Sequence, residues 1–466
     1  MATHVDLLII GTGSGNAIPH ELERMRIAIV ERATFGGTCL NRGCIPSKML
    51  VMPANRVREA QEAAHLGVVF EPPRIDWESI QMRMWGRIDT IAEAGEDYRR
   101  SLPNVSVFAG DARFVGDRTI RVTAADGSVA EVVGEQVVLA AGASAVVPDI
   151  PGLVGTPFHT SDTIMRAERV PRRLVVIGGG FIAAEMGHVF ASLGSEVIVV
   201  HRGARLLRHE DREVSARFTD EFGRNVELHL CTEVVGVEHS ASGFRLALAP
   251  APGHDGPDCP TDVTGDALLV TTGRRPNGAE LGVEASGVEL DPDGYVVTDE
   301  LLRTTAQGIW ALGDVRNPRQ LKHLANREAK VVFHNIAHPE SPRALDERVV
   351  PHAVFSHPEV ASVGDTEQEI QARGQAYRVG RCDYAGTAYG WSLDDRTSFA
   401  KVLVDADTGL LLGGHVIGPQ AATLMQQLAQ AMTFGLTAER VAREQIWAHP
   451  GLAEVLENAL IDALDA

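Results

Sequence analysis

The chain has 466 residues, 44% hydrophobic and 23% charged, which is enough for about three domains, each with its own core. Its formal charge of −19, from 43 basic and 62 acidic residues, argues against nonspecific binding to nucleic acid or to anionic membranes. No apolar run approaches the ~18 residues of a membrane span, residues 1–6 carry no basic leader, and the odd set of five cysteines is no secreted disulfide framework, so a cytoplasmic protein is expected.

Residues 5–10 form a continuous apolar run of strand length, followed directly by Gly11-Thr12-Gly13-Ser14-Gly15-Asn16. A second strand is expected at 27–30, ending at Glu31, twenty residues after Gly11. Strand, glycine turn, short helix, strand and acid is the order of a dinucleotide site. Gly11, Gly13 and Gly15 let the backbone approach a pyrophosphate at a helix N-terminus, and Glu31 can bond a ribose 2′-hydroxyl. Asn16 stands where the third glycine of the fingerprint is usual, which weakens this motif taken alone.

The run Gly36-Gly37-Thr38-Cys39-Leu40-Asn41-Arg42-Gly43-Cys44-Ile45-Pro46-Ser47-Lys48 then puts two cysteines five positions apart at the start of a helix. In a regular helix such residues lie roughly 8 Å apart at Cα, whereas a disulfide wants about 4.4–6.8 Å. Cys39 and Cys44 can bridge only if the first turn is distorted, and Gly43 is where distortion costs least. A distorted, reducible bridge beside a cofactor site suits redox exchange. The competing readings are a zinc half-site, a structural staple, or two unrelated buried thiols. Zinc would need two further ligands, and Cys231, Cys259 and Cys382 stand singly, so no metal is expected. A staple over so short a loop would stabilise little.

A Pro/Gly-rich joint at 147–152 precedes a second nucleotide unit. It reads as a strand at 174–177, the turn Gly178-Gly179-Gly180, a helix through Leu193 that carries Glu185, and a strand Glu196–Val200. One glycine fingerprint is weak evidence, but two in the same context are strong. That last strand ends in His201-Arg202-Gly203-Ala204-Arg205-Leu206-Leu207-Arg208, without the acid usual in an NAD site. Further joints fall at 250–260 and 338–342. Beyond them, strands at 400–404 and 410–416 and a helix at 421–434 fit an α+β module. Near the end, Pro450 suits the first position of a helix and sets His449 in extended backbone ahead of it. Leu452, Val455, Leu456, Ala459 and Leu460 give that helix a buried face, and Glu454 can orient the imidazole and favour its charged form.

The run 36–48 resembles the signature of the pyridine nucleotide-disulfide oxidoreductases, the family of glutathione reductase and dihydrolipoamide dehydrogenase. Residues 305–314 resemble the segment that closes the family's flavin site, and 272–277 its return crossing between domains. The resemblance implies an α/β fold of two Rossmann-like dinucleotide-binding domains, for FAD and NADPH, plus a C-terminal α+β dimerisation domain. The expected division is FAD domain 1–152, NADPH domain 153–268, FAD return 269–340 and dimerisation domain 341–466.

By the same resemblance Cys44 lies against the flavin and Cys39 attacks the substrate disulfide. Lys48 and Glu185 match a buried ion pair at the reactive end of the flavin ring, where an unpaired lysine would cost several kcal/mol. Thr38, Ala112, Gly142, Gly273 and Asp314 join the first turn in the expected cofactor contacts, with Asp314 on the ribityl chain. Gly178 and Gly180 are the counterparts for the nicotinamide dinucleotide, and Arg202 and Arg208 match the arginines that hold its 2′-phosphate. His449 and Glu454 match the family's C-terminal dyad, which serves the other subunit's active site, so a homodimer is implied. An imidazole of pKa near ~6.5 is suited to protonate a leaving thiolate whose thiol titrates near ~8.5.

Within the family, residues 13–16, 86–89, 95–100, 321–326 and 388–391 resemble members acting on mycothione, the disulfide of mycothiol. Glutathione reductase-like and dihydrolipoamide dehydrogenase-like activities are the alternatives of the same class. A flavoprotein redox sensor without turnover is the alternative of another class. Arg42 departs from the commoner valine between the cysteines.

Overall fold

A near-continuous apolar strand needs cover on both faces, and a central position in a parallel sheet supplies it. In the computed structural model, which describes residues 2–254 and 259–466, Thr3–Ile10 pairs in parallel with Ile27–Glu31 on one side and Val129–Leu139 on the other. Val105–Ala109 extends this sheet beyond Ile27–Glu31, and Thr119–Thr123 and Asp111–Gly116 extend it antiparallel at the other edge. Ile309–Ala311 adds a seventh strand beside Val129–Leu139. Alternate residues face opposite sides. Leu7, Ile9 and Ile29 pack with Val332 and Phe333 of the helix Lys322–Ala337, while Leu8, Ile10 and Val30 pack with Ile120, Val122 and Ile309.

These strands belong to the first of two compact units, built from Met1–Ser47, Glu78–Val146 and Gly273–Asp346. Its chain leaves and returns through a short antiparallel ribbon, Ala143–Ala145 against Arg274–Pro276. The short helix expected after the first glycine turn is absent. Only two 3₁₀ turns, Ser14–Asn16 and His20–Leu22, occupy the described residues before the next strand. Residues 17–26 are too few, at about 1.5 Å per residue, for a helix with two connections along a strand of about 3.3 Å per residue. Pro19 removes a donor among them. The cysteine segment is helical over Gly37–Arg42, breaks at Gly43 (φ −141°, ψ −118°), and resumes as Cys44–Glu62.

The second unit comprises Lys48–Trp77, Val147–Thr272 and Glu347–Ala466. Residues 48–77, expected with the first domain, cluster here because Lys48, Asn55 and Glu62 bond Glu185, His188 and His357. Its parallel sheet runs in the order Glu227–His229, Glu196–Val200, Arg173–Ile177, Ala267–Val270, with the helix Phe181–Ser192 following the second glycine turn. The joint expected at 250–260 links two antiparallel neighbours, Gly243–Pro250 and Asp262–Gly265, rather than two domains; residues 255–258 lie outside the described residues. The C-terminal module is a five-stranded antiparallel sheet. It runs in the order His352–Val354, Val360–Gly364, Leu411–Ile417, Phe399–Asp405, Tyr377–Asp383. Val402, Val416, Leu428, Leu456 and Leu460 form its core with the helices Ala421–Thr433 and Glu454–Asp465. That last helix begins at Glu454, four residues later than expected from Pro450, which instead follows His449 through a cis peptide in the preceding turn. Among the described residues no helix is long and apolar enough to cross a membrane.

Candidate active site

In the first glycine turn each glycine has its own reason. A Cβ at Gly11 would stand 2.3 Å from the Ala140 carbonyl oxygen, and one at Gly15 would stand 2.6 Å from the Ala140 Cβ. A Cβ at Gly13 would meet nothing within 4 Å, so its backbone faces open space of the kind a phosphate needs. Thr12, which sequence reasoning passed over, ties the turn together. Its N–H and hydroxyl donate to Glu31 Oε2 at 3.0 and 2.6 Å, and its Oγ1 accepts the Gly36 N–H at 2.8 Å. The acid and the cysteine segment are thereby fixed to one turn. Gly37, at φ +69°, lies so close to Gly13 that a Cβ would reach its Cα at 2.7 Å. Asn16, in the third-glycine position, is held by Arg99, whose Nε donates to Oδ1 at 2.8 Å and Nη2 to the carbonyl at 2.7 Å.

The cysteine helix is anchored by Asn41, whose amide donates to the carbonyls of Thr34, Phe35 and Gly37. A Cβ at Gly43 would crowd the Thr38 carbonyl oxygen at 3.0 Å and Cys39 Cα at 3.4 Å, so the break that brings the two cysteines together depends on a bare backbone there. Cys39 is half-buried and Cys44 exposed. A hydrogen bond to Cys44, then burial, holds the Cys39 thiol above its ordinary pKa, while the charge of Lys322 pulls the other way.

Asp314 sits in the turn Gly313–Val315 after Ile309–Ala311. Burial raises its pKa, against the charges of Arg274 and Lys322. Glu328, fully buried, shapes that turn: it accepts from the Gly313 N–H, from Arg316 Nη1 at 2.6 Å and from Asn317 Nδ2 at 3.1 Å. Gly142 (φ +68°) and Gly273 (φ +130°) both face open space at the ribbon, and Asn277 spans it by donating to Ala141 O at 2.8 Å and accepting from Ser144 Oγ at 2.7 Å. Ala112 follows Gly110, whose N–H bonds Glu31 O at 2.9 Å. An open glycine backbone, a ribose acid and a desolvated carboxylate within one unit fit a flavin dinucleotide.

In the second unit, Gly178 abuts Thr271, where a Cβ would meet both of its oxygens at 2.5 Å, and Gly180 faces open space. The His201 ring packs on Gly179 and Gly203, filling the place where an NAD enzyme has its acid. Leu207, with φ +52°, donates its N–H to Gly179 O at 2.8 Å and folds the arginine loop back onto the turn. Arg202 and Arg208 are both exposed there. Lys48 Nζ bonds both carboxylate oxygens of Glu185, at 2.6 and 2.7 Å. Glu185 is buried and also accepts the Phe355 N–H at 3.1 Å; Lys48 lies 4.6 Å from the centroid of the Phe355 ring. His449 Nδ1 lies 2.7 Å from Glu454 Oε1, and Glu454 Oε2 accepts the Gly451 N–H at 3.0 Å. The hydrogen bond from His449 holds Glu454 below the usual carboxylate range. The imidazole is displayed at the surface, 69% exposed, over a carboxylate only 17% exposed. Among the described residues no cluster of His, Cys, Asp and Glu could hold a metal ion.

A family model described as pyridine nucleotide-disulphide oxidoreductase matches residues 5–329, and one for the dimerisation domain of the same description matches 350–460. The chain is 44% identical to the mycothione reductase of Mycobacterium tuberculosis (strain H37Rv) over 98% of both. It is 33% identical to a dihydrolipoyl dehydrogenase of Chlorobaculum parvum over 99% of this chain and 97% of that one. The solved structure of the HOCl-induced flavoprotein disulfide reductase RclA from Escherichia coli superposes with a TM-score of 0.83 at 27% identity, covering 98% of this chain and 99% of that one.

Proposed function

The chain belongs to the pyridine nucleotide-disulphide oxidoreductase family, flavoprotein disulfide reductases with a redox-active cysteine pair, and within it we propose that this enzyme reduces mycothione to mycothiol with NADPH. The observation that carries the substrate is the relation to the Mycobacterium tuberculosis enzyme along nearly the whole of both chains. The absence of an acid at His201 and the exposed Arg202 and Arg208 support NADPH as donor.

FAD, when bound, relays two electrons from the reduced nicotinamide to the cysteine pair. Glu31, Asp314 and the Gly11, Gly13 and Gly15 backbone would hold it. In the dithiol, the hydrogen bond to Cys44 and burial hold the Cys39 thiol above its ordinary pKa. His449, contributed by the second subunit of a homodimer, takes the thiol's proton as Glu454 orients the ring. Cys39 Sγ then attacks one sulfur of the substrate disulfide. The new S–S bond joins Cys39 to half of the substrate, and the other half leaves as thiolate, protonated by His449. Cys44 attacks Cys39 Sγ, re-forms the internal disulfide and expels the second thiolate, which takes a proton from water. Two electrons and two protons thus yield two thiols.

Mycothiol carries its cysteine on an uncharged amino-sugar–inositol unit, so its site needs stacking and hydroxyl-binding groups. Trp391 offers a face: it is 69% exposed, with its indole N–H held on Ala385 O at 2.7 Å. Tyr389 packs against the C-terminal core instead. We expect kcat/KM for mycothione to exceed that for glutathione disulfide by at least ~100-fold, about 2.7 kcal/mol of transition-state discrimination. Steady-state assays with saturating NADPH test this, and comparable values for mycothione, glutathione disulfide and lipoamide would reassign the enzyme as a general disulfide reductase.

A further inference from the structure

The two glycine turns are followed by different structures. Phe181–Ser192, twelve residues long, follows the second turn, and the N-terminus of such a helix presents roughly half a positive charge to a phosphate. After the first turn come only the 3₁₀ turns Ser14–Asn16 and His20–Leu22, too short to sum such a dipole. The diphosphate of a flavin dinucleotide nonetheless carries two negative charges.

What stands at the first turn is a lysine. Lys322 Nζ donates to Ser14 Oγ at 2.9 Å, and Ser14 Oγ donates at 2.9 Å to Asn326 Oδ1, one turn further along the helix Lys322–Ala337. Asn326 thus holds the hydroxyl, and the hydroxyl parks the ammonium on the turn. Lys322 is half-buried, and among the described residues no carboxylate lies within ion-pair distance of it. Its charge is felt at both Cys39 and Asp314, so it lies among the groups that would surround the flavin. A half-buried ammonium with no carboxylate in direct contact leaves room for an anion. Arg99 has another task, because the donors it directs at the turn are taken up by Asn16.

We propose that Lys322 is the diphosphate-binding cation of the first nucleotide site, supplying through Ser14 the positive charge that a helix N-terminus supplies in the second. This rests on the reading of the first turn as an FAD site. The test is the release of FAD from purified holoenzyme, followed by flavin fluorescence over a series of salt concentrations, for the unmodified protein, Lys322→Gln and Lys322→Arg. Lys322→Gln should raise the FAD dissociation constant by roughly 10–100-fold and flatten its dependence on salt, whereas Lys322→Arg should recover most of the affinity. A salt dependence equal to that of the unmodified protein overturns the proposal even where the variant is less stable. So does an unchanged dissociation constant with a displaced flavin midpoint potential, which would assign the lysine to the ring. An unmodified protein that binds no FAD would instead remove the reading of the turn itself.

Discussion

Cys39 and Cys44 stand only five residues apart, and the hydrogen bond to Cys44 and burial hold the Cys39 thiol above its ordinary pKa. Replacing Cys39 with serine should leave a Cys44 thiolate beside oxidised flavin, seen as long-wavelength absorption without turnover. Cys44→Ser should lack that band, and indistinguishable spectra of the two variants would reverse the assigned roles. The arginines of the second site allow a comparable separation. A hydrogen bond to a charged group contributes roughly 1.5–3 kcal/mol, so Arg202 and Arg208 together should favour NADPH by ~100-fold or more. Alanine at both positions should raise KM for NADPH and leave NADH use nearly unchanged. Equal kcat/KM for the two nucleotides in the unmodified enzyme would exclude that role.

Along the helix Phe181–Ser192, His188 lies one turn beyond Glu185 and is buried, with Nε2 2.7 Å from Asn55 Oδ1 and Nδ1 3.3 Å from Ser192 Oγ. Burial pushes its pKa down to about 3. An unfolded histidine takes up its proton near ~6.5. Between those values the unfolded chain binds more protons, so stability rises with pH across this window and falls as pH drops through it. His188→Gln removes this slope. Between pH 7 and 4.5 the advantage of the unmodified protein over the variant should shrink by about 2–3 kcal/mol, at 1.36 kcal/mol per unit. Urea unfolding at the two pH values measures it, and a constant gap would mean that the native imidazole is already charged.

What was legible along these elements followed from local backbone demands. Both glycine turns and the break at Gly43 each depend on a conformation or close approach that few residues tolerate, and the strand Glu196–Val200 showed as an apolar run. The missing first helix could have been found by counting residues 17–26 and noting Pro19. The start of the last helix could not, because Leu452 is drawn into the core ahead of Glu454 and the turn around Pro450 follows from that packing. Asn41 and Glu328 escaped notice as polar residues inside helical segments; only the carbonyls and N–H groups gathered around them show their work. Lys48 and Glu185, 137 positions apart, were paired by family resemblance alone.

For the whole molecule, the dimerisation module and the exposed His449 lead to a test of shared sites. Homodimers of Cys39→Ala and of His449→Ala should each be nearly inactive. After subunit exchange, a mixed dimer holds one site with both defects and one with neither, and should recover about half of normal activity by the logic of a twofold interface. Inactivity despite demonstrated exchange would place His449 within its own chain's site or outside catalysis.

The first unit's sheet has a consequence for biosynthesis. Val129–Leu139 receives its last neighbour from Ile309–Ala311, and Asp314 follows only then. At roughly 5–20 residues per second, a ribosome needs on the order of ten seconds or more to translate the stretch between them. For that interval the emerging chain exposes an apolar strand flank and lacks Asp314, the carboxylate proposed for the ribityl chain. A nascent chain stalled before residue 309 should therefore bind no flavin, whereas one whose residues through Ala337 have cleared the exit tunnel has every first-unit contact to the cofactor named above.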